Sequence, residues 1–291
     1  MCRMVALRFL GRARSLAGEL IDAAVEASAN DPYLERLVGD SRHCHGYGFA
    51  LARRVKGSWE VMRARFDAAP RLTGDEACEA NLKALEEAAD ELKALLRRGE
   101  EFALILHGRR TGSEPRGVNA GHPFSGEVVL QGHEGPELFE VLLSHNGGVR
   151  KSDLAALIGL RDPSVYTDSH VLLKFVLSRL EGRPVGELVG GLRDAVREAA
   201  PYALGSLNAL AMFVGQSSGP FLFAVGYVTA REESRRAYFE PVLVKADGLS
   251  GFVSSTARDV AARRGVRAEF SSRAENFVAM LDPSEVRTVE V

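Results

Sequence analysis

The chain has 291 residues, of which 46% are hydrophobic and 26% charged, and its formal net charge is −2. This is ample apolar material for a packed core, and the near-neutral balance excludes a chain held on nucleic acid or an anionic membrane by global charge. No run approaches the ~18 apolar residues of a membrane span. The opening MCRMVALRFLGRARSLAGEL is interrupted by Arg8, Arg12 and Arg14, so it lacks the apolar centre of a signal peptide, and the cytoplasm is the expected compartment.

In chain order, MVALRFLG reads as a short strand in which Met4, Ala6 and Arg8 alternate with Val5, Leu7 and Phe9. ARSLAGELIDAAVEASAN follows with helical spacing, Leu16, Leu20, Ala24 and Ala27 lying along one side. HGYGFALARR and SWEVMRAR form a strand pair around the Lys56-Gly57 turn. The stretch 74–101, rich in Ala, Leu, Glu and Lys, predicts a long amphipathic helix. FALILH (102–107) is a buried strand that runs into the polar loop GRRTGSEPRGVNAG. GEVVLQG and LFEVLLSHNGG have strand character, although 136–144 also fits a helix. Helices are expected at SDLAALIG, DSHVLLKFVLSRLEG and VGELVGGLRDAVREAAPY. Strands are expected at SLNALAMFVG, GPFLFAVGYVTA, YFEPVLVKA and GLSGFVSST, then a helix at ARDVAARRG and a strand-like end at VRTVEV. Two sheets covered by helices satisfy this order, as do other α+β layouts.

The cysteines are Cys2, Cys44 and Cys78, an odd and sparse set that argues against a disulfide framework and leaves room for one functional thiol. Cys2 directly follows the initiator methionine. Because cysteine is small, methionine aminopeptidase would remove Met1 and leave Cys2 with a free α-amine beside its thiol, a nucleophile with a built-in base. His43-Cys44-His45 suggests a metal cluster, but the second cysteine or histidine pair of a zinc site is missing, so no metal is expected there.

Other segments complete the picture begun at Cys2: His107-Gly108-Arg109, NAGHPF from Asn119 to Phe124, His145-Asn146-Gly147 and Thr167-Asp168. In this order the combination resembles the class II glutamine amidotransferases, whose glutaminase domains are N-terminal nucleophile hydrolases. SLNALAMF, LFAVGYV and GFVSST extend the similarity toward the stand-alone members that lack a fused synthase. Several positions depart from the family pattern: Arg110 follows the strand-end arginine, Gly121 enters the HPF motif, His170 replaces an acidic residue, and Tyr47 and Phe49 replace Asp and Trp. These bear on substrate identity more than on the nucleophile.

The resemblance implies a four-layer αββα sandwich in one domain over 1–291, with the 74–101 helix as an insertion. It implies that Cys2 attacks the γ-amide of glutamine or a γ-glutamyl compound to form a thioester. Asn146 and Gly147 would stabilise the oxyanion, Arg109 would hold the substrate α-carboxylate and Asp168 its α-ammonium. His122 would stabilise the loop beside the substrate. The simpler roles of Asn146-Gly147 as a turn and Asp168 as a helix cap stand beside these. No cofactor is implied. An ammonia-accepting synthase subunit is the implied partner, since no Walker A motif allows this chain to activate an acceptor with ATP. The competing reading is a catalytically silent glutamine-binding or regulatory subunit.

Overall fold

The computed structural model describes residues 2–69, 71–112 and 114–291; the expected loss of Met1 therefore lies outside the described residues. The first half runs β1 (Cys2–Leu10), α1 (Arg14–Ala29), α2 (Pro32–Val38), β2 (Tyr47–Val55), β3 (Ser58–Phe66), α3 (Gly74–Leu95) and β4 (Glu101–Arg109). β5 (Phe124–Gly132), β6 (Gly135–Val149), α4 (Lys151–Leu157), α5 (Asp168–Leu180) and α6 (Leu188–Ala199) follow. The last part contains β7 (Ala203–Gly215), β8 (Gly219–Gly226), α7 (Glu233–Phe239), β9 (Pro241–Ala246), β10 (Leu249–Ser254), α8 (Ser255–Arg263), β11 (Glu269–Ser272), β12 (Phe277–Leu281) and β13 (Val286–Glu290).

One sheet has seven strands in the order β11-β9-β10-β1-β4-β2-β3, the other six in the order β13-β12-β8-β7-β6-β5. Their pairings are antiparallel. β1 explains the layering. Successive side chains of a strand point to opposite faces, and both faces of β1 are apolar. Val5, Leu7 and Phe9 pack with Ala17, Leu20 and Ala24 of α1, Leu92 of α3 and Val260 of α8. Met4 and Ala6 instead meet Leu142, Leu210, Met212 and Leu222 of the second sheet. Behind that sheet, Leu154 of α4, Phe175 of α5 and Leu192 of α6 form a third apolar layer. Helices thus cover two stacked sheets, the αββα sandwich that the motifs implied.

Several elements differ from the sequence expectation. Helix α3 stops at Leu95 instead of continuing to 101. Tyr238 and Phe239 end a helix and do not open a strand, because both pack against Leu34 of α2. Segment 136–144 is strand, part of β6. Cys44 and Cys78 are joined in a disulfide, contrary to the expectation of unpaired cysteines, and this bond ties α3 to the segment before β2. No helix among the described residues is long and apolar enough to cross a membrane.

Candidate active site

Register brings the candidate residues together. Cys2 begins β1 and pairs directly with Arg109 at the end of β4, while Met4 pairs with His107. Opposed residues of antiparallel strands project to the same face, so Cys2, Arg109 and His107 all turn toward the second sheet. There His145-Asn146-Gly147 lie near the end of β6, and its pairing with β7 shifts register between Gly147 and Val149. Such a bulge re-aims backbone groups at a strand end. Gly147 has φ +156°, and a Cβ there would lie 1.9 Å from the Ser206 carbonyl oxygen, so no other residue fits without displacing β7.

The nitrogen of Cys2 donates to Asn146 Oδ1 at 2.9 Å, a bond between the two sheets. The Cys2 side chain is buried, and its sulfur lies 3.7 Å from the Arg110 carbonyl oxygen. Burial pushes the thiol pKa up, but the chain's N-terminal charge and the adjacent His107 pull it down further, to about 6. A thiol so placed is largely thiolate at neutral pH.

Arg109 is buried. Its Nη2 donates to the Pro115 carbonyl oxygen at 2.8 Å, whereas its Nη1 has no hydrogen-bond partner. Burial pushes this guanidinium below its ordinary range, and the charges of Cys2, Asp67 and Asp168 oppose that effect. Asp168 opens α5, but the cap of that helix is Thr167, whose Oγ1 accepts from His170 N at 3.2 Å. The Asp168 carboxylate accepts from Val149 N at 3.2 Å and Ser169 N at 2.6 Å, which ties the helix start to the bulge of β6.

His122 is buried and stacks on His107 at 4.2 Å and on Phe124 at 4.8 Å. Neither ring nitrogen of His122 meets a hydrogen-bond partner among the described residues, whereas the His107 ring interacts with the Cys2 thiol. Burial, with His107 and the Arg109 charge nearby, holds the His122 pKa well below its ordinary value. His145 Nδ1 lies 3.0 Å from Ser169 Oγ. The His122 carbonyl oxygen comes so close to β2 that a Cβ on Gly48 would lie 1.8 Å from it, and this gives the glycine in HGYGF its purpose.

Cys2, Arg109, His122, Gly147 and Asp168 line one cavity of about 190 Å³, with Glu114 and Leu204 completing its wall. This is smaller than the ~300–1,000 Å³ of pockets for drug-sized ligands and suits a compact polar molecule. The loop over it is held from several sides. Thr111 N donates to His45 Nδ1 at 3.1 Å, and Arg110 Nη1 bonds Asp40 Oδ2 at 2.8 Å. Asp67 accepts from Gly117 N at 2.7 Å and Asn81 Nδ2 at 3.0 Å; Asn81 lies on α3 beside the disulfide. His43 and Cys44 thus have structural partners, Asp31 for the first and Cys78 for the second.

A second cluster under Cys2 escaped the sequence reading. Arg3 Nη2 pairs with Asp31 Oδ2 at 2.5 Å, both side chains being fully buried, and His43 Nε2 lies 2.7 Å from the same oxygen. The other oxygen, Asp31 Oδ1, accepts from Thr256 Oγ1 at 2.7 Å and from Tyr33 N and Leu34 N at the start of α2. The Arg3 guanidinium also stacks over Tyr238 at 4.1 Å and donates to its carbonyl oxygen. The signal in the sequence was an arginine on the apolar face of a strand, which demands a buried counter-charge.

No protein-family model matches the chain, and no curated protein matches it in sequence. Among solved structures, it is similar to one described as the allosteric regulatory enzyme of purine biosynthesis, with 11% identity and a TM-score of 0.54. That alignment covers 99% of this chain and 49% of the other, so the chain spans about half the length of that enzyme. At this identity the likeness concerns the fold alone: the chain has the αββα sandwich of the N-terminal nucleophile hydrolase type.

Proposed function

We propose that the protein hydrolyses the γ-amide of glutamine, or of a γ-glutamyl compound, through a thioester on Cys2. The observation that carries this reading is the 2.9 Å bond from Cys2 N to Asn146 Oδ1, made where Cys2 lies directly across from Arg109. Once Met1 is removed, that nitrogen is the α-amine, and Asn146 holds it beside the thiol.

The amine takes the thiol proton and Sγ attacks the amide carbon. With Oδ1 engaged by Cys2 N, the Nδ2 group of Asn146 is the side-chain donor for the oxyanion, and Gly147 N–H is the backbone donor. Removing one such donor typically costs about 2.7–4 kcal/mol of transition-state stabilisation. Collapse of the adduct returns the proton to the departing ammonia, and water then hydrolyses the thioester to the γ-carboxylate. The unpartnered Nη1 of Arg109 suits the α-carboxylate of the substrate. Asp168 suits the α-ammonium, and His122 packs the wall between them and the loop.

An ammonia-consuming synthase is the partner this chemistry calls for, because the free product is useful only if captured. The 74–101 region, here α3, is an addition to the core in this reading. A cytoplasmic location fits a glutamine-consuming reaction, where the Cys44–Cys78 bond would have to persist against the glutathione pool. The test is ammonia release from L-glutamine by the processed protein and by its Cys2→Ala variant. Turnover abolished by the substitution supports the proposal; no turnover by the intact protein, or equal turnover by both, overturns it.

A further inference from the structure

Two groups of opposite sign share the wall of the Cys2 cavity, each with one shielded atom that makes no hydrogen bond. One is Arg109 Nη1. The other is Glu114 Oε2, a half-buried residue's carboxylate oxygen that is itself shielded from solvent and accepts no hydrogen bond. A shielded carboxylate oxygen without a donor is costly to keep. The nearest cation, Lys151 Nζ, stands 3.8 Å away and donates instead to the Tyr166 carbonyl oxygen at 2.9 Å. Glu114 does not owe its position to this side chain. Its N–H donates to Thr111 Oγ1 at 3.0 Å, and Thr111 Oγ1 bonds its carbonyl oxygen at 3.3 Å. The next residue, Pro115, accepts from Arg109 Nη2, so the same turn sets both the cation and the anion of the cavity.

We infer that Glu114 is a specificity residue which, together with Asp168, receives the α-ammonium of the substrate while Arg109 receives its α-carboxylate. This rests on the amidase reading above and narrows its substrate class to γ-amides that keep a free α-amino-acid head, as glutamine and N-terminal γ-glutamyl peptides do. Two carboxylates facing one small cavity repel each other, and burial and the Asp168 charge together raise the Glu114 pKa. A bound ammonium relieves that repulsion. Arg109 forms no ion pair with either carboxylate among the described residues; the Glu114 carboxylate has Lys151 Nζ at 3.8 Å and the Asp168 backbone N–H beside it, with Oε2 itself making no hydrogen bond.

The experiment compares wild type and Glu114→Gln on L-glutamine and on glutaramate, the same γ-amide without the α-amino group. The substitution should lower kcat/KM for L-glutamine about tenfold, mainly through KM, and leave glutaramate within about twofold or improved. If glutaramate turns over too slowly to follow, its inhibition constant against L-glutamine hydrolysis is read instead, and should be equally unmoved. An equal loss on both compounds would assign Glu114 a structural role and overturn the inference, as would no loss on either. A wild-type protein that hydrolyses neither amide refutes the amidase reading itself, an outcome distinct from both.

Discussion

Replacing Asp31 by asparagine removes the charge that balances Arg3 beneath Cys2. The change keeps the side-chain volume but turns one acceptor oxygen into a donor. In the native protein Oδ2 faces the Arg3 guanidinium and the His43 ring, and Oδ1 faces Thr256 and the first turn of α2. The asparagine amino group must point at one of these sets of donors. Breaking a fully buried ion pair leaves an uncompensated charge and costs about 3–5 kcal/mol. A second, smaller figure comes from titration: Arg3 and hydrogen bonds from His43 and Thr256 outweigh burial and hold the Asp31 carboxyl at about 2, down from 3.8. At about 1.4 kcal/mol per pH unit, that displacement is worth roughly 2.5 kcal/mol at pH 7. The larger figure also includes stranding Arg3, so about 4 kcal/mol is expected for Asp31→Asn. Urea unfolding at pH 7 measures it. The sign with pH is fixed: a depressed carboxyl stabilises above its unfolded pKa, and that part is lost as pH falls from about 4 toward 2. The variant should lack this acid slope, and Arg3→Met in the Asp31→Asn background should recover part of the loss. A variant within about 1 kcal/mol of wild type, or strictly additive single substitutions, would refute the reasoning.

Other consequences can be checked separately. Gly147→Ala forces a Cβ toward the Ser206 carbonyl oxygen at 1.9 Å; it should reshape the bulge and cut amide hydrolysis at least a hundredfold, the scale of losing an oxyanion donor, as steady-state ammonia release would show. Iodoacetamide labelling of Cys2, the free cysteine of the described chain, should rise with a midpoint near pH 6; a midpoint above pH 8 would contradict the electrostatics of the site. Replacing Cys44 and Cys78 by serine opens a bond spanning 34 residues. By chain entropy this should cost about 3–4 kcal/mol, seen as a lower urea midpoint that matches the reduced wild type.

The features legible in the sequence were those with short-range causes. β1 announced itself by a period of two with both faces apolar, and the turn at Lys56-Gly57 sits between β2 and β3 as the spacing required. The residues of the cavity were legible because each ends an element: Cys2 starts β1, Arg109 ends β4, Asn146-Gly147 lie near the end of β6 and Asp168 starts α5. Helix α2 could have been found, since Asp31 caps it, Pro32 opens it and Gly39 closes it in the left-handed region. The Tyr238-Phe239 helix could not, because its β-favouring aromatics are overridden by packing against Leu34. The Cys44–Cys78 bond and the Arg3–Asp31 pair join residues brought together only by tertiary structure. Glu114 stands in a polar loop where nothing local distinguishes it from its neighbours.

The central claim is that Cys2, freed of Met1, attacks the side-chain carbonyl of a glutamine-like electrophile held by this cavity. An intact-mass spectrum before and after exposure to 6-diazo-5-oxo-L-norleucine addresses it directly. The expected result is a chain lacking the methionine mass that gains one covalent adduct, mapped to Cys2. A chain that retains Met1 and gains no adduct would contradict it.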